Sequence, residues 1–165
     1  MERPLIIATR PATGARLAPA NRYALFAKSP LTRIFGESYA GGFVAPAVSA
    51  TGYDAIVLQG AAHEPVHPEI RPEAPAFHDA SAFWGLDLYA AEEALEKDVG
   101  VDGAKGIVIG PAGENQVGFA AVGNDQGHAA GRTGMGAVLG AKRVKGIVFH
   151  GDRSRALFDP EGIAD

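Results

Sequence analysis

Short apolar runs, most of them closed by Gly, Pro or a charged residue, recur along the chain and predict buried strands. Apolar positions at helical spacing predict three helices instead, at residues 44–50, 87–99 and 137–145. Asp87 is the expected N-cap of the middle helix, and Gly100 is its expected end. The predicted strands span residues 5–9, 23–28, 53–60, 105–109, 117–122 and 144–151.

Two stretches are less regular. Residues 32–39 fit either a short helix or an extended segment. Residues 61–82 contain Pro at four positions, which predicts irregular edge strands. His63 and His67 would form a metal-binding pair at i, i+4 only on a helix, and the prolines argue against one. We therefore expect these two histidines to be solvated loop residues.

The second half of the chain repeats the pattern of the first. Residues 131–151 align with residues 40–60 at an offset of 91 residues. In both halves the order is strand, Pro-Ala turn, strand, small-residue loop, helix, strand. Because two copies are too few for a solenoid, we predict one internally duplicated α+β domain. A pseudo-twofold pair of this kind would bring its two small-residue loops together at one cleft.

The most glycine-dense stretch, residues 123–136, leads into the third predicted helix. Such a loop leaves unpaired backbone N–H groups at the start of a helix, where they can bind a phosphate or another anionic oxygen. The alternative explanation is close helix packing through Gly136 and Gly140. The loop alone does not separate these two interpretations.

Composition narrows the function classes. The chain has 165 residues, enough for one domain with a core, and a net charge of −4, which gives no support to nucleic-acid binding. It contains no Cys, so disulfides and thiolate-bound metal or iron–sulfur clusters are excluded within these residues. No apolar run has membrane-spanning length, and the N-terminus lacks a secretion pattern. We expect a cytoplasmic protein.

Three glutamates of the middle predicted helix, Glu92, Glu93 and Glu96, are expected on its solvated face, opposite the apolar stripe of Leu88, Ala91 and Leu95. Glu114 lies in the second Pro-Ala turn. It fits a buried carboxylate that organises the loop, and it fits a plain turn residue equally well.

Five segments together resemble the N-terminal domain of the tungsten-containing aldehyde ferredoxin oxidoreductases, in the same order and spacing. They are YALFAKSPLT at 23–32, AGGF at 40–43, GYDAI at 52–56, IGPAGEN at 109–115 and AAGR at 129–132. The resemblance implies an α+β duplication whose sheets form the floor beneath a bis-pterin tungsten or molybdenum cofactor. It covers residues 1–151, without the family's first strands, and leaves 152–165 as a tail or the start of a linker.

The resemblance also assigns roles to individual residues. Arg22 would contact the phosphate side of the cofactor, although a solvated strand-end arginine is the alternative. The backbone carbonyls of Tyr39 and Ala129 would hold Mg²⁺ between the pterin phosphates. His128 stands where the family usually has an arginine that grips the pterin or phosphate, and Arg132 could compensate for it. The complete set of cofactor-binding candidates is Arg22, Tyr39, Gly41, His128, Ala129, Gly131 and Arg132.

In the family, the 4Fe-4S cysteines and the acid/base residues lie in later helical domains. The resemblance therefore implies that this chain does not oxidise an aldehyde to a carboxylate alone, with ferredoxin receiving the electrons. It would be either a cofactor-binding subunit or a piece of a larger enzyme, and a homodimer is left open. Two alternatives are a small-anion or nucleotide-binding module that has lost the pterin, and a structural subunit.

Overall fold

The computed structural model describes residues 4–15, 20–154 and 156. The strands and helices of these residues are numbered in chain order. They are β1 (Leu5–Thr9), β2 (Tyr23–Lys28), β3 (Phe35–Ala40), α1 (Val44–Ala50), β4 (Ala55–Leu58), β5 (Val66–Ile70), β6 (Ala76–Asp79), α2 (Leu88–Val99), β7 (Lys105–Val108), α3 (Pro111–Glu114), β8 (Val122–Asn124), β9 (His128–Ala130), α4 (Met135–Ala141) and β10 (Gly146–Phe149).

The strands form two sheets. The first is antiparallel throughout, in the order β3-β2-β1-β4. The second has the order β6-β5-β10-β7-β8-β9, and only the β5–β10 pair is parallel. Its part β9-β8-β7-β10 has the same order and antiparallel pairing as the first sheet. We call residues 5–58 the first unit, residues 105–149 the second unit, and residues 61–104 the connecting segment.

This topology confirms the α+β fold and the internal duplication. Helices α1 and α4 match at an offset of 91 residues, as do strands β4 and β10. Both helices contribute to one core shared by the two sheets, with Val48 and Leu139 fully buried. Helix α2 closes a second, smaller core, in which Leu95 and Val148 are fully buried.

The ends of α2 follow the local sequence. The Asp87 side chain accepts a hydrogen bond from the N–H of Ala90 at 2.9 Å, as expected of an N-cap. Gly100 adopts the left-handed conformation, with φ of 66°, and donates its N–H to the Glu96 carbonyl. Both predicted ends of this helix are confirmed.

The region around the glycine-dense stretch differs from the prediction. The expected strand at 117–122 is wrong, because this segment makes turns in which the N–H of Ala120 donates to the Val117 carbonyl. The strand is β8, and it pairs with β9 inside the stretch that was predicted to be a loop. Helix α4 begins two residues earlier than predicted, after Gly134 in the left-handed conformation, and ends at Ala141. Residues 35–40 are extended, which resolves the ambiguity at 32–39.

The sequence left two possibilities for Glu114, a buried carboxylate that organises the loop or a plain turn residue. The structure shows the buried carboxylate. Its side chain is 5% exposed and forms an ion pair with Lys145, which is fully buried. Its oxygens also accept the N–H of Gly85 at 2.9 and 3.0 Å, while the Lys145 Nζ donates to the Leu86 carbonyl. The pair therefore ties the segment before α2 to the second unit.

The expectation that His67 is solvated is wrong. His67 lies in β5, is fully buried under the C-terminal end of α2, and is hydrogen-bonded to Asp98 at 2.9 Å. Burial lowers the pKa of its imidazole. His63 is exposed, as expected. Among the described residues no helix is long and apolar enough to cross a membrane.

Candidate functional site

The two small-residue loops meet where the edge strands β3 and β9 approach each other. The side-chain amide of Asn124 donates to the Gly41 carbonyl at 3.0 Å. The N–H of Arg132 donates to the Ser38 hydroxyl oxygen, also at 3.0 Å. These bonds join the first unit to the second, so the predicted convergence of the two loops is present.

A buried polar network holds this junction. The Tyr23 hydroxyl donates to the Asn124 side-chain oxygen at 2.8 Å, and the Asn124 amide also donates to Asp125 at 2.7 Å. Burial raises the pKa of Tyr23, and the nearby carboxylates of Asp125 and Glu92 raise it further. The phenol therefore remains a donor throughout the neutral range, and the network is a fixed part of the fold.

Glu92 belongs to the same network, so its assignment to a solvated helix face is wrong. Glu92 is 5% exposed, and its two carboxylate oxygens accept the N–H groups of Asp125 at 2.5 Å and Gln126 at 3.0 Å. Burial raises the pKa of the Glu92 carboxyl, and these two hydrogen bonds oppose the rise. A signal was available in the sequence, because Glu92 lies four residues after Leu88 and three before Leu95, beside the apolar stripe.

Two of the backbone donors predicted to bind an anion at the helix starts have protein acceptors instead. At the start of α1, the N–H of Phe43 already donates to the Asp125 carboxylate at 2.7 Å. In the first turn of α4, the N–H of Gly136 donates to the Ala120 carbonyl at 2.9 Å. These two N–H groups are therefore not available to an anion.

The glycines of the two loops and of helix α4 fall into two classes. A Cβ built at Gly136 would lie 2.3 Å from the Ala121 oxygen, and one at Gly140 would lie 1.9 Å from the Gly113 oxygen. These two glycines permit close packing, as the alternative interpretation held. At Gly131 a Cβ would meet nothing within 4 Å, and at Gly41 its nearest neighbour would be 3.8 Å away.

Neither Gly41 nor Gly131 has a positive φ. Within the described chain, therefore, neither backbone conformation nor packing requires glycine at these two positions. Both lie at the surface, Gly131 exposed and Gly41 partly exposed. A glycine in such a place leaves the backbone open to close approach from outside.

A shallow cavity of about 330 Å³ adjoins this junction on the outer face of the first sheet. Its lining includes Arg10, Arg22, Phe26 and Tyr39. The Tyr39 hydroxyl donates to Glu37 at 2.9 Å, which raises the Tyr39 pKa, while the charge of Arg10 acts in the opposite direction. Arg10 is not among the site residues predicted from the sequence.

The predicted site residues lie at exposed or partly exposed positions around the β3–β9 junction. Tyr23, the first residue of β2, pairs with Ala40, the last residue of β3. This pairing places Arg22 beside Gly41. The ring of His128 lies 3.8 Å from the position of a Cβ on Gly41. We call this the junction surface, and its residues are Arg10, Arg22, Tyr39, Gly41, His128, Ala129, Gly131 and Arg132.

The junction surface carries three arginines, Arg10, Arg22 and Arg132. None of them takes part in an ion pair within residues 4–15 and 20–154. Unpaired guanidinium groups beside an open backbone suit an anionic ligand, because arginine donors match phosphate oxygens in pairs. A larger cavity, of about 730 Å³, lies between α1 and the loop after α2 and includes none of these residues.

Comparison with known proteins decides the family. The family model described as "Aldehyde ferredoxin oxidoreductase, N-terminal domain" matches residues 1–151. The chain belongs to this family. The resemblance carried by the five sequence segments is thereby confirmed.

Relatives in this family have several different names. The chain is 41% identical over 160 residues to the tungsten-containing aldehyde ferredoxin oxidoreductase of Pyrococcus furiosus, covering 97% of the chain and 26% of that protein. It is 33% identical over 162 residues to an "Aliphatic sulfonate oxidoreductase, WOR-like subunit" of the same organism, covering 91% of the chain and 26% of that protein.

A solved structure resembles the whole fold. This structure is the active-site complex BamBC of benzoyl coenzyme A reductase with 1,5-dienoyl-CoA. The match has a TM-score of 0.88 and 32% identity, and it covers 92% of this chain and 23% of the other. The chain thus spans about a quarter of the length of the relatives that it matches.

Proposed function

We propose that this chain binds and positions a bis-pterin tungsten or molybdenum cofactor on its junction surface. It would do so as the N-terminal part, or a separate subunit, of an aldehyde ferredoxin oxidoreductase-type enzyme. One observation supports this most directly. Gly41 and Gly131 are surface glycines without a local reason to be glycine, and they lie beside arginines that make no ion pair with any residue the structure describes.

The roles of the residues follow from their chemistry. Arg22 and Arg10 would bind phosphate oxygens, and their forked donors would fix the orientation of the phosphates. Arg132 would add a third cation from the second unit. His128 offers a ring N–H beside Gly41, although it supplies less charge than an arginine would.

The backbone supplies the remaining contacts. Gly41 and Gly131 would let the ligand approach the main chain closely, since neither carries a Cβ. Tyr39 and Ala129 lie on the edge strands β3 and β9, and their backbone carbonyls would bind Mg²⁺ between the phosphates. Mg²⁺ prefers oxygen ligands of this kind and keeps several of its waters.

When bound, the tungsten or molybdenum would supply the two-electron chemistry that oxidises an aldehyde to a carboxylate. These 165 residues contain no Cys, so the 4Fe-4S cluster that passes electrons toward ferredoxin would need thiolates from further domains or a partner subunit. Relatives of this domain are named for aldehydes, aliphatic sulfonates and benzoyl coenzyme A. We infer that the domain positions the cofactor and that other domains select the substrate.

The test is cofactor retention in the polypeptide that carries this chain, purified from cells grown with tungstate and molybdate. Tungsten, molybdenum and oxidised-pterin fluorescence are measured per mole of protein. Gly131→Leu should leave the fold intact, because a side chain there meets open space, and should abolish most of the retained pterin. Arg22→Ala should lower retention by about tenfold or more, the effect of one or two charge-assisted hydrogen bonds.

Lys28→Ala is the matched control, since it removes one exposed cation at the other end of β2. It should keep the wild-type metal and pterin content. Equal retention in Gly131→Leu and wild type would mean that the cofactor, if bound, lies elsewhere. Absence of pterin and of both metals, with binding of nucleotide or free phosphate instead, would favour the small-anion module.

A further inference from the structure

We propose that the chain carries a second metal site, for a Zn²⁺-like transition-metal ion, formed by His67, His78 and Asp98. One potential ligand atom from each of these three side chains lies within 4.8 Å of the other two. The site lies on the face of the second sheet that α2 covers. It shares no residue with the junction surface, so it stands apart from the cofactor proposal.

Strand pairing and one helix bring the three ligands together. In the β5–β6 hairpin, His67 lies directly opposite His78, and their rings stack at a centroid distance of 4.9 Å. Asp98, near the C-terminal end of α2, places a carboxylate oxygen 2.9 Å from the Nε2 atom of His67. Tetrahedral Zn²⁺ with bonds of about 2.1 Å holds its ligand atoms about 3.4 Å apart. Modest side-chain movements would therefore close the set around an ion.

One atom of this cluster is unexplained by the fold. His67 is fully buried, yet its Nδ1 has no hydrogen-bond partner among the described residues. A buried polar atom without a partner is costly, and such atoms are uncommon in folded proteins. A histidine that served only to pack the hairpin would leave this cost unexplained. If His67 binds a metal ion, its unpartnered Nδ1 offers a ligand atom in addition to the Nε2 that is hydrogen-bonded to Asp98.

A buried carboxylate orients the second histidine. Glu69 is 5% exposed, and its two oxygens bind the Nε2 atoms of His78 at 2.7 Å and His150 at 2.6 Å. With Nε2 engaged in this way, Nδ1 of His78 is the nitrogen left to bind an ion. A carboxylate behind a ligating histidine fixes the ring and raises its basicity, and this pairing is common around protein metal ions.

The ligand types select the class of metal. Two imidazoles and one carboxylate suit Zn²⁺, Co²⁺ or Ni²⁺, whereas Mg²⁺ and Ca²⁺ prefer sites made of oxygen ligands. The Asp98 side chain is 40% exposed, so the ion has a route from solvent and a water can complete four ligands. Three protein ligands and one water make a site of moderate affinity that does not need a thiolate.

The test is metal binding by the full 165-residue chain. Zn²⁺ is titrated in competition with a chelator, and Co²⁺ binding is followed by the intense visible absorption of tetrahedral cobalt. We expect one equivalent of each metal. His78→Ala and Asp98→Ala should each weaken Zn²⁺ binding by at least about tenfold, and Glu69→Gln should weaken it by about 10–100-fold through loss of orientation.

His63→Ala is the matched control, because it removes an exposed histidine from the same connecting segment. It should bind both metals as the wild type does. Urea unfolding of each apo variant shows whether the fold is kept, and Asp98→Ala, at an exposed position, keeps the test open if His78→Ala does not fold. Wild-type protein that binds neither Zn²⁺ nor Co²⁺, or folded variants that bind as tightly as His63→Ala, would overturn the proposal. Tungsten and pterin content do not enter this experiment, so the two proposals can fail separately.

Discussion

The first and second units share one topology but differ in what covers them. In the first unit, Val57 of β4 is 51% exposed. Its equivalent in the second unit, Val148 of β10, is fully buried beneath α2. The same residue type at the same place in the repeat thus lies in solvent in one copy and in a core in the other. Burial here is a property of the surroundings, and the repeat itself does not specify it.

The connecting segment causes this difference. It adds β5 and β6 to the second sheet and packs α2 across the outer face of that sheet. No described element covers the outer face of the first sheet, where Phe35 is 69% and Tyr39 43% exposed. Phe26 stacks on Phe35 and meets the edge of Tyr39 there. This bare face borders the junction surface, so the first sheet leaves open the area that helix α2 of the connecting segment covers on the second sheet.

The largest expected effect on stability comes from breaking the buried Lys145–Glu114 ion pair of the second unit. Lys145→Met would leave the Glu114 carboxylate buried without its cation, and we expect a loss of about 3–5 kcal/mol in the free energy of unfolding. Urea unfolding measures this loss. The double variant Lys145→Met with Glu114→Leu should regain much of it, because no uncompensated charge remains. Equal stability of the single and double variants would contradict the assignment.

The next largest effect concerns how each helix, α1 or α4, packs against the turn near the start of its own unit. In the first unit the Ser49 hydroxyl of α1 donates to the Thr13 carbonyl at 3.1 Å. At the equivalent position of α4, the Gly113 carbonyl lies 1.9 Å from where a Cβ on Gly140 would be. Gly140→Ser should therefore cost about 3 kcal/mol through overpacking. Ser49→Ala should cost about 1 kcal/mol, the value of one hydrogen bond. Thermal unfolding measures the loss of stability in both variants. A larger loss for Ser49→Ala than for Gly140→Ser would contradict the prediction.

The valine pair sharpens the contrast in burial directly. Val148→Ala removes two buried carbon atoms from the core under α2 and should cost about 2 kcal/mol. Val57→Ala removes the same atoms from a half-exposed site and should change stability by less than about 0.5 kcal/mol. Urea unfolding of the two variants under the same conditions measures the two losses of stability. Similar losses in the two variants would mean that something covers both sheets in solution.

The smallest effect is the pH dependence of Glu92, which links α2 to the junction. Because burial raises its pKa in the folded state, the folded protein binds this proton more readily than the unfolded chain does. The contribution of Glu92 to stability should therefore increase as pH falls from its raised folded pKa toward about 4.5, and it should decrease as pH rises. Glu92→Gln does not titrate, so the stability of the wild type relative to this variant should grow as pH is lowered. A difference that is constant between pH 7 and 4.5 would argue against a raised pKa.

Local sequence determined much of this protein. Apolar runs located β1 and β2 to the residue, and Asp87 and Gly100 marked the ends of α2, because buried faces and helix caps act through neighbours along the chain. The offset of 91 residues between the units was equally visible. The motifs indicated the family, and the family comparison confirmed it.

Only the tertiary structure decided which polar groups are available to a ligand. Asp125 occupies the N–H of Phe43 across 82 residues, and Glu92 binds Asp125 across 33. Such pairs depend on how α2 and the two units pack, and no local pattern encodes that packing. The same holds for the burial of His67 and for the place of Arg10 beside Arg22. Hydrophobic periodicity specifies which face of an element is apolar, but the partner that covers this face comes from distant parts of the chain.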